Sequence, residues 1–142
     1  MGRFSRLVEL RRLREEADGL AYSRILGRIE SFRQKIGMLE KETAEGQEMA
    51  VEMVKQGQTP GAVRMDDFFR GQSWRVKKLE DKISMAQVEA NSARLVWLAA
   101  RTQLKQAEKM AEKERLQHDQ TVRRNETKEL DMIGIVQNQF RP

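Results

Sequence analysis

Small and apolar residues recur at alternating spacings of three and four between Val76 and Ala111. This alternation is the heptad period, which draws a narrow apolar stripe along one side of a helix and requires a partner helix along its length. Alanine at many of these positions also requires the two backbones to approach closely. The stripe, here called the alanine seam, consists of Val76, Leu79, Ile83, Ala86, Ala90, Ala93, Trp97, Ala100, Leu104, Ala107 and Ala111. It predicts one half of a coiled coil.

The preceding part of the chain supplies the other half. No proline occurs between Phe4 and Gln56, and two apolar series run through this stretch. The opening series is Phe4, Leu7, Leu10, Leu13, Ala17 and Leu20, and the second series is Tyr22, Ile25, Ile29, Phe32, Ile36, Leu39, Thr43, Gly46, Ala50 and Met53. The two series are out of frame, which predicts a stutter near Ala21 that locally unwinds the supercoil. Glycines 19, 27, 37 and 46 are compatible with either bending or close packing.

A single interruption separates the two periodic segments. Residues 57–73 contain Gly57, Pro60 and Gly61, which supply turn chemistry. The expected organisation is all-α, a long antiparallel two-helix coiled-coil hairpin formed as a single domain by residues 1–142. Its predicted parts are helix 1 at about 4–56, a tip loop at about 57–73, helix 2 at about 74–133 and a tail at 134–142. Each arm would be on the order of 80–90 Å long at 1.5 Å per residue.

Beyond Ala111 the heptad frame continues, but its positions become polar. They are Glu114, His118, Thr121 and Asn125. The helical pattern outlasts the first arm and meets its first plausible stop at Gly134. This predicts a C-terminal helix that overhangs the hairpin and offers a polar surface to another molecule.

Composition fits a thin rod. Leu, Ile, Val and Phe make up 32 of the 142 residues, close to the level of roughly 20% below which disorder is expected. The chain has no cysteine, so it has neither disulfides nor thiolate metal ligands. Its longest apolar run, Leu95–Ala100, is far shorter than the roughly 20 residues of a membrane span, and the N-terminus lacks the apolar core of a secretory signal. We expect a cytoplasmic protein with no direct membrane span.

The net charge of +5 results from 27 basic and 22 acidic side chains that alternate along the chain. Only the first 14 residues are strongly basic, with five Arg against Glu9. Nucleic-acid binders usually concentrate basic residues on one face with aromatic residues between them. The mixed pattern instead favours the solvated faces of long helices and predicts no nucleic-acid partner.

Signs of catalysis are missing from the sequence. His118 is the single histidine, and nothing places a nucleophile or a second metal ligand beside it. Carboxylates fall into surface pairs of the i,i+3 type, such as Lys105 with Glu108. The phosphate-loop pattern GxxxxGK[ST] is absent. We therefore predict no enzyme activity, no cofactor and no metal.

Aromatic residues gather at the predicted tip. Phe68, Phe69 and Trp74 lie within seven residues of one another, where a two-helix coil has little breadth to bury them. They either fold back to close the end of the coil or form a contact patch for a protein partner, as exposed aromatic clusters often do.

Three stretches resemble the FliJ family of flagellar type III export proteins. They are FSRLVELRRLREEA at Phe4–Ala17, LEDKI at Leu79–Ile83 and ETKELD at Glu126–Asp131. The third is similar to an E-x-K-x-x-D-E pattern of the family, and Met132 stands where the family usually has a second acidic residue. Similar proteins in injectisomes are an alternative, as is a generic coiled-coil adaptor or a nucleic-acid-associated hairpin.

The resemblance implies a fold and a role. Family members are long antiparallel two-helix coiled coils that resemble the stalk of the rotary ATPase gamma subunit. They insert into the hexameric export ATPase, promote its assembly and activity, and link it to the cytoplasmic domain of the export gate protein and to export chaperones. The resemblance thus implies flagellum biogenesis, protein export, motility and chemotaxis, at the cytoplasmic face of the inner membrane. The pattern leaves open whether the isolated chain is a monomer or a dimer.

Two sets of contact residues follow from this resemblance. The predicted ATPase-ring contacts, at the end formed by the termini, are Arg11, Arg14, Arg123, Arg124, Glu126, Lys128 and Asp131. The predicted gate or chaperone contacts, near the aromatic tip, are Phe68, Phe69, Trp74, Val76, Leu79 and Ile83.

Overall fold

A computed structural model describes residues 2–139. Within that range the chain forms two helices, α1 (Ser5–Lys55, 51 residues) and α2 (Thr59–Gln139, 81 residues), and no strand. The helices pack against each other and contribute to two compact units. Unit 1 contains residues 2–17 and 98–139 of the described range, and unit 2 contains Asp18–Trp97. The predicted all-α class is confirmed.

The connection between the helices is short because a glycine ends α1. Gly57 has a φ of 76°, which a residue with a side chain rarely adopts. The N–H of Gly57 donates to the Val54 carbonyl (3.1 Å), and the N–H of Gln58 donates to the Met53 carbonyl (2.7 Å). This pair of bonds is a Schellman motif, which satisfies carbonyls that the helix end would otherwise leave unpaired.

The second helix begins far earlier than predicted. Thr59, and not a residue near position 74, is its first residue, so only residues 56–58 lie between the helices. Pro60 is compatible with a first helical turn because the N–H that it lacks would have no partner there.

At the other end, α2 passes through Gly134 and reaches Gln139. A glycine inside a helix costs only about 1 kcal/mol relative to alanine, so it need not stop the helix. Residues 140–142 of the predicted tail lie outside the described range.

The core of unit 2 joins the second apolar series to the alanine seam. Ile29, Ala86 and Ala90 are buried, and Tyr22, Ile25, Phe32 and Ile83 pack against them. All members of both series are buried or half-buried in α1 and α2. The two seams predicted from the heptad period therefore face inward, as expected.

Contacts in unit 2 show the direction of its two segments. Tyr22 stacks on Trp97 with ring centroids 5.8 Å apart, and Arg28 forms an ion pair with Glu89. Further along, the Gln72 amide lies beside the Leu39 carbonyl. Because positions rise along α1 as they fall along α2, the segments of this unit run in opposite directions.

Most of the opening series of α1 lies outside the buried face. Only its first two members, Phe4 and Leu7, are half-buried. Leu10, Leu13 and Leu20 are exposed, as is Ala17. The half-buried residues instead continue the second series backward without a slip, through Asp18, Glu15, Arg11, Val8 and Phe4. The predicted stutter is therefore wrong. One heptad frame holds along all of α1, because the pairing with α2 selects the polar stripe over the neighbouring leucine stripe.

Unit 1 uses polar contacts along its seam. Ala100 and Ala107 are buried on α2. On the α1 side, Arg11 Nη1 donates to Gln103 Oε1 (2.8 Å). Just before α1, the backbone N–H of Arg3 donates to Glu114 Oε1 (3.1 Å). As in unit 2, the paired segments run in opposite directions. From Gln120 to Gln139 every residue of α2 is exposed except Gly134, which is half-buried.

Neither α1 nor α2, over the described residues, contains a stretch long and apolar enough to cross a membrane.

Candidate functional site

A groove with an apolar floor and a basic rim lies on unit 2. We call it the Trp74 groove; its volume is about 530 Å³. Both helices contribute to its lining, which comprises Lys35, Met38, Leu39, Glu42, Trp74, Arg75, Lys78, Leu79 and Lys82. The groove exists because these two stretches, distant in sequence, lie side by side in the paired helices.

Two large apolar side chains of the groove remain open to solvent. Trp74 is 62% exposed and Met38 is 65% exposed. Below them, Leu39 and Leu79 are half-buried members of the seams. Lys78 lies one turn after Trp74, and its Nζ is 5.5 Å from the indole centroid. This distance is within the range of a cation–π interaction, which favours the observed placement of the ring.

The charge around the groove is strongly positive. Three lysines and Arg75 face a single carboxylate, Glu42. Lys35 and Lys82 lie on opposite helices, and their Nζ atoms are 5.9 and 6.0 Å from the Phe32 ring centroid. Clustered charge of one sign attracts ligands of the other sign and excludes like-charged ones. The groove therefore suits an acidic ligand that also carries apolar side chains.

Gln72 anchors one edge of the groove. Its side chain is only 1% exposed. The amide Nε2 donates to Glu42 Oε2 (3.2 Å) and lies 3.4 Å from the Leu39 carbonyl oxygen, while Oε1 accepts from Arg75 Nη1 (2.7 Å). Because a buried amide is costly unless its polar atoms are satisfied, this network fixes both charged groups at the groove edge.

The aromatic residues Phe68, Phe69 and Trp74 were predicted either to close the end of the coil or to form a contact patch. In the structure the three residues differ in this respect. Phe69 is half-buried, whereas Phe68 is 39% exposed, and their rings meet edge to face at 5.5 Å. A Cβ on Gly46 of α1 would lie only 2.9 Å from Phe68 and 3.2 Å from Phe69. The Phe pair thus packs on the facing helix, while Trp74 remains exposed.

The other predicted gate contacts belong to the packed interior. Val76, Leu79 and Ile83 are half-buried along the alanine seam, and Ile83 packs against the core of unit 2. Among the six predicted residues, Phe68 and Trp74 are exposed. Of the rest, Phe69 packs on Phe68 and Leu79 lines the groove.

The predicted ATPase-ring contacts do not all lie together in unit 1. Arg123, Arg124, Glu126, Lys128 and Asp131 are all exposed on one continuous stretch of α2. By contrast, Arg11 is half-buried and bonded to Gln103. Gln103 precedes Arg123 by 20 residues, which corresponds to about 30 Å along a helix. The structure does not bring Arg11 to the C-terminal charges.

A charged network lies just before that stretch. Arg115 contacts Glu112 at 2.7 Å and Asp119 at 3.4 Å, one turn away on either side. The hydrogen bond from Arg115 holds the pKa of Glu112 below its ordinary value. The same bond raises the pKa of Arg115.

Sequence reasoning missed most of the Trp74 groove. Its α1 side, Lys35 to Glu42, carries no motif that links it to residues near Trp74. The sequence offered one indication of the groove: Trp74 and Met38 are large apolar residues that lie outside the heptad frame.

His118 is exposed, and residues 2–139 contain no group of three or more side chains suited to holding a metal ion.

Comparison with known proteins identifies one family. The family model described as Flagellar FliJ protein matches residues 1–140. Searches of curated proteins and of solved structures found no match.

Proposed function

The chain belongs to the flagellar FliJ protein family, and from this premise we propose that it is the central stalk of the flagellar type III export ATPase. The family is a non-enzymatic component of flagellar protein export, so the protein is related to flagellar export. The match over nearly the whole chain is the observation that carries the proposal, because short coiled-coil motifs alone are less specific. It also favours the flagellar over the injectisome alternative.

In this proposal the two helices form an antiparallel hairpin from which the C-terminal end of α2 overhangs. Two features support this shape. In each unit, taken separately, the paired segments run in opposite directions. In addition, α2 continues for 25 residues past Glu114, which bonds to Arg3 just before α1. The protein acts without cofactor or catalysis.

The hexameric export ATPase is the proposed partner of the C-terminal end. Arg123, Arg124, Glu126, Lys128 and Asp131 form the proposed contact at this end. Arg14, one turn after Arg11 on α1, is a separate proposed contact. Their exposure supports this, since none of them has to leave a buried site to bind. We propose that Arg11 contributes less to ATPase binding, because its guanidinium already donates a hydrogen bond to Gln103 within the seam.

The cytoplasmic domain of the export gate, together with export chaperones, is the proposed partner of the Trp74 groove. Exposed aromatic and methionine side chains commonly supply the central contacts of a protein interface. The basic rim favours an acidic segment on the partner. In this proposal the protein acts in the cytoplasm, at the inner-membrane face of the export apparatus.

Stimulation of the ATPase tests the stalk assignment. We expect the triple variant Arg124→Ala, Lys128→Ala and Asp131→Ala to lose most of the stimulation while it keeps its helicity and melting temperature. A matched control replaces Lys77, Glu80 and Arg94, which are also exposed and have the same signs of charge. Full stimulation by the triple variant would contradict the contact residues. Failure of the unaltered chain to bind the ATPase would favour a generic adaptor.

Binding to the gate and chaperones tests the groove. Trp74→Ala should weaken binding of the gate's cytoplasmic domain without altering ATPase stimulation. Met85→Ala is the control, because Met85 is 70% exposed and does not line the groove. Equal affinities of the two variants would rule the groove out as the contact.

A further inference from the structure

A stripe of exposed apolar side chains runs along α1. Leu10 is 58% exposed, Leu13 is 57% exposed and Leu20 is 52% exposed, and Ala17, which completes the series, is also exposed. These four residues, here called the leucine stripe, follow one another at spacings of three, four and three. This is the heptad spacing, which is typical of residues that face a second helix in a coiled coil.

The leucine stripe faces away from α2. The half-buried residues of the same stretch are Arg11, Glu15 and Asp18, and Arg11 donates a hydrogen bond to Gln103 of α2. At about 100° per residue, the middle of this row is turned about 150° around the helix from the middle of the leucine stripe. A helix that covers the stripe therefore has to come from another molecule.

The charges on the two edges of the stripe differ in sign. With Leu10 as heptad position a, Glu9 and Glu16 occupy position g along one edge. Arg14 occupies position e along the other edge, and all three charged residues are exposed. Charged residues at e and g form salt bridges between the helices of a coiled coil and set the choice and orientation of the partner.

A second copy of the chain in the parallel orientation matches this pattern. In a parallel pair, position g of one helix meets position e of the other helix, five residues further along. Glu9 of each copy then meets the partner's Arg14, which gives two ion pairs related by a two-fold axis. Arg14 already takes part in an interaction within its own chain, but a guanidinium has five N–H donors and serves more than one acceptor.

The antiparallel orientation brings like charges together. Its best alignment of the apolar residues sets Leu10 of one copy opposite Leu20 of the other. Arg14 then lies beside the same residue of the second copy, and so does Glu16. Because like charges in contact disfavour an interface, the edges of the leucine stripe select the parallel pair.

The interface is short, so the association is weak. Arg6 and Arg24 occupy the next heptad positions before and after the stripe, and in either orientation they place positive charges together at its ends. Four apolar layers therefore remain, which span about 15 Å. They bury less than the roughly 800 Å² that each partner contributes to a standard interface, which is typical of transient complexes.

We propose that two copies of the chain associate in parallel through the leucine stripe of α1, with an ion pair between Glu9 and the partner's Arg14 on each edge. This self-association goes beyond the proposed stalk function. Its test needs only this chain, so its failure and the failure of the stalk assignment are separate results.

Sedimentation equilibrium of the full chain tests the association over about a hundredfold range of concentration, because a weak dimer forms by mass action only at the upper end. We expect the mean mass to rise from one chain toward two. Leu13→Ala with Leu20→Ala should weaken the association by about tenfold or more, because it removes apolar contact area. The control, Met85→Ala with Val88→Ala, replaces side chains that are 70% and 67% exposed elsewhere.

Two results would overturn the proposal. A mass of one chain at every concentration would exclude a second copy and leave the stripe to a different protein. Equal weakening by the control pair would show that the copies associate through another surface.

Single thiols test the orientation, because the native chain has no cysteine. In the parallel pair Leu13→Cys faces its own counterpart, and a disulfide forms readily only between such close positions. We expect Leu13→Cys to form the linked dimer about tenfold faster than the exposed control Met85→Cys, since only the former is held opposite its partner. Predominance of a mixed disulfide between Leu10→Cys and Leu20→Cys would overturn the parallel orientation.

A charge swap tests the ion pair. Glu9→Arg should weaken the association by about fivefold or more, because two surface ion pairs are replaced by repulsion. Combining Glu9→Arg with Arg14→Glu should restore the affinity, because the signs are again opposite. A double variant that associates as weakly as Glu9→Arg alone would contradict the pairing of Glu9 with the partner's Arg14.

Discussion

The seams of the two units share one heptad frame but differ in chemistry. Ala86 in unit 2 and Ala107 in unit 1 are equally buried, at 3% exposure. In unit 2 the α1 side of the seam is mostly apolar and centred on Ile29. In unit 1 it includes Arg11 and Glu15, both half-buried.

This difference shows that small residues on one helix permit close packing without deciding what stabilises it. Burial of apolar surface stabilises unit 2. Hydrogen bonds such as the one from Arg11 to Gln103 contribute less in unit 1, because water competes for the same groups. We expect unit 1, which carries the proposed ATPase contacts, to be the less stable part and therefore the easier one for a partner to adjust.

The largest expected effect is at the centre of the apolar seam. Ile29→Ala should lower the free energy of unfolding by about 3 kcal/mol, because it removes a buried side chain and leaves a cavity. Urea denaturation followed by circular dichroism measures the change. Leu10→Ala is the control, since Leu10 is 58% exposed, and its effect should stay within about 0.5 kcal/mol. Equal losses in both variants would show that the leucine stripe is buried after all.

Two glycines of α1 test how close the helices lie in unit 2. Gly27 has no atom within 4 Å of an added Cβ, whereas a Cβ on Gly46 would lie 2.9 Å from Phe68. Both alanine substitutions gain helix propensity, but only Gly46→Ala overpacks, so it should be less stable than Gly27→Ala by about 2 kcal/mol. Thermal denaturation of the two variants gives this difference. Equal stabilisation would mean that the Phe rings move aside freely.

A smaller loss is expected in the polar seam. Arg11→Ala should cost about 1 kcal/mol, the usual net value of one exposed hydrogen bond and its packing. Urea denaturation is again the measurement. Replacing Arg11 and Gln103 together by leucine should recover the loss, because neither polar partner is left behind. A loss of unfolding free energy as large as that of Ile29→Ala would contradict the expected difference between the apolar seam of unit 2 and the polar seam of unit 1.

The smallest effect concerns the charged network of unit 1. Since Arg115 lowers the pKa of Glu112 in the helix, this pair stabilises the folded chain above the ordinary glutamate pKa of 4.5. The contribution disappears as the pH falls through the lower folded value. NMR titration of the Glu112 carboxyl should show this lowered pKa, and Arg115→Ala should return it toward 4.5. An unchanged pKa in that variant would assign the shift to another group.

Much of the fold could be predicted from periodicity. The alanine seam and the series from Tyr22 to Met53 follow the heptad rule closely, and the structure buries both. The start of α2 could not be predicted as well, because Pro60 and Gly61 are typical of turns and also compatible with a first helical turn. The Trp74 groove required knowing which residue of α1 lies opposite Trp74, and local sequence does not contain that register.

The sequence by itself determined that the chain is helical, that alanines allow close pairing, and that residues 1–140 match one family. Only the tertiary structure decided which stripe of early α1 faces its partner. Leu10, Leu13 and Leu20 form a plausible apolar stripe, yet they are exposed. The physical reason is that one heptad frame runs along the whole of a long helix. The frame set by Ile29 against Ala86 and Ala90 continues along α1, and the residues that fall on it are Asp18, Glu15 and Arg11.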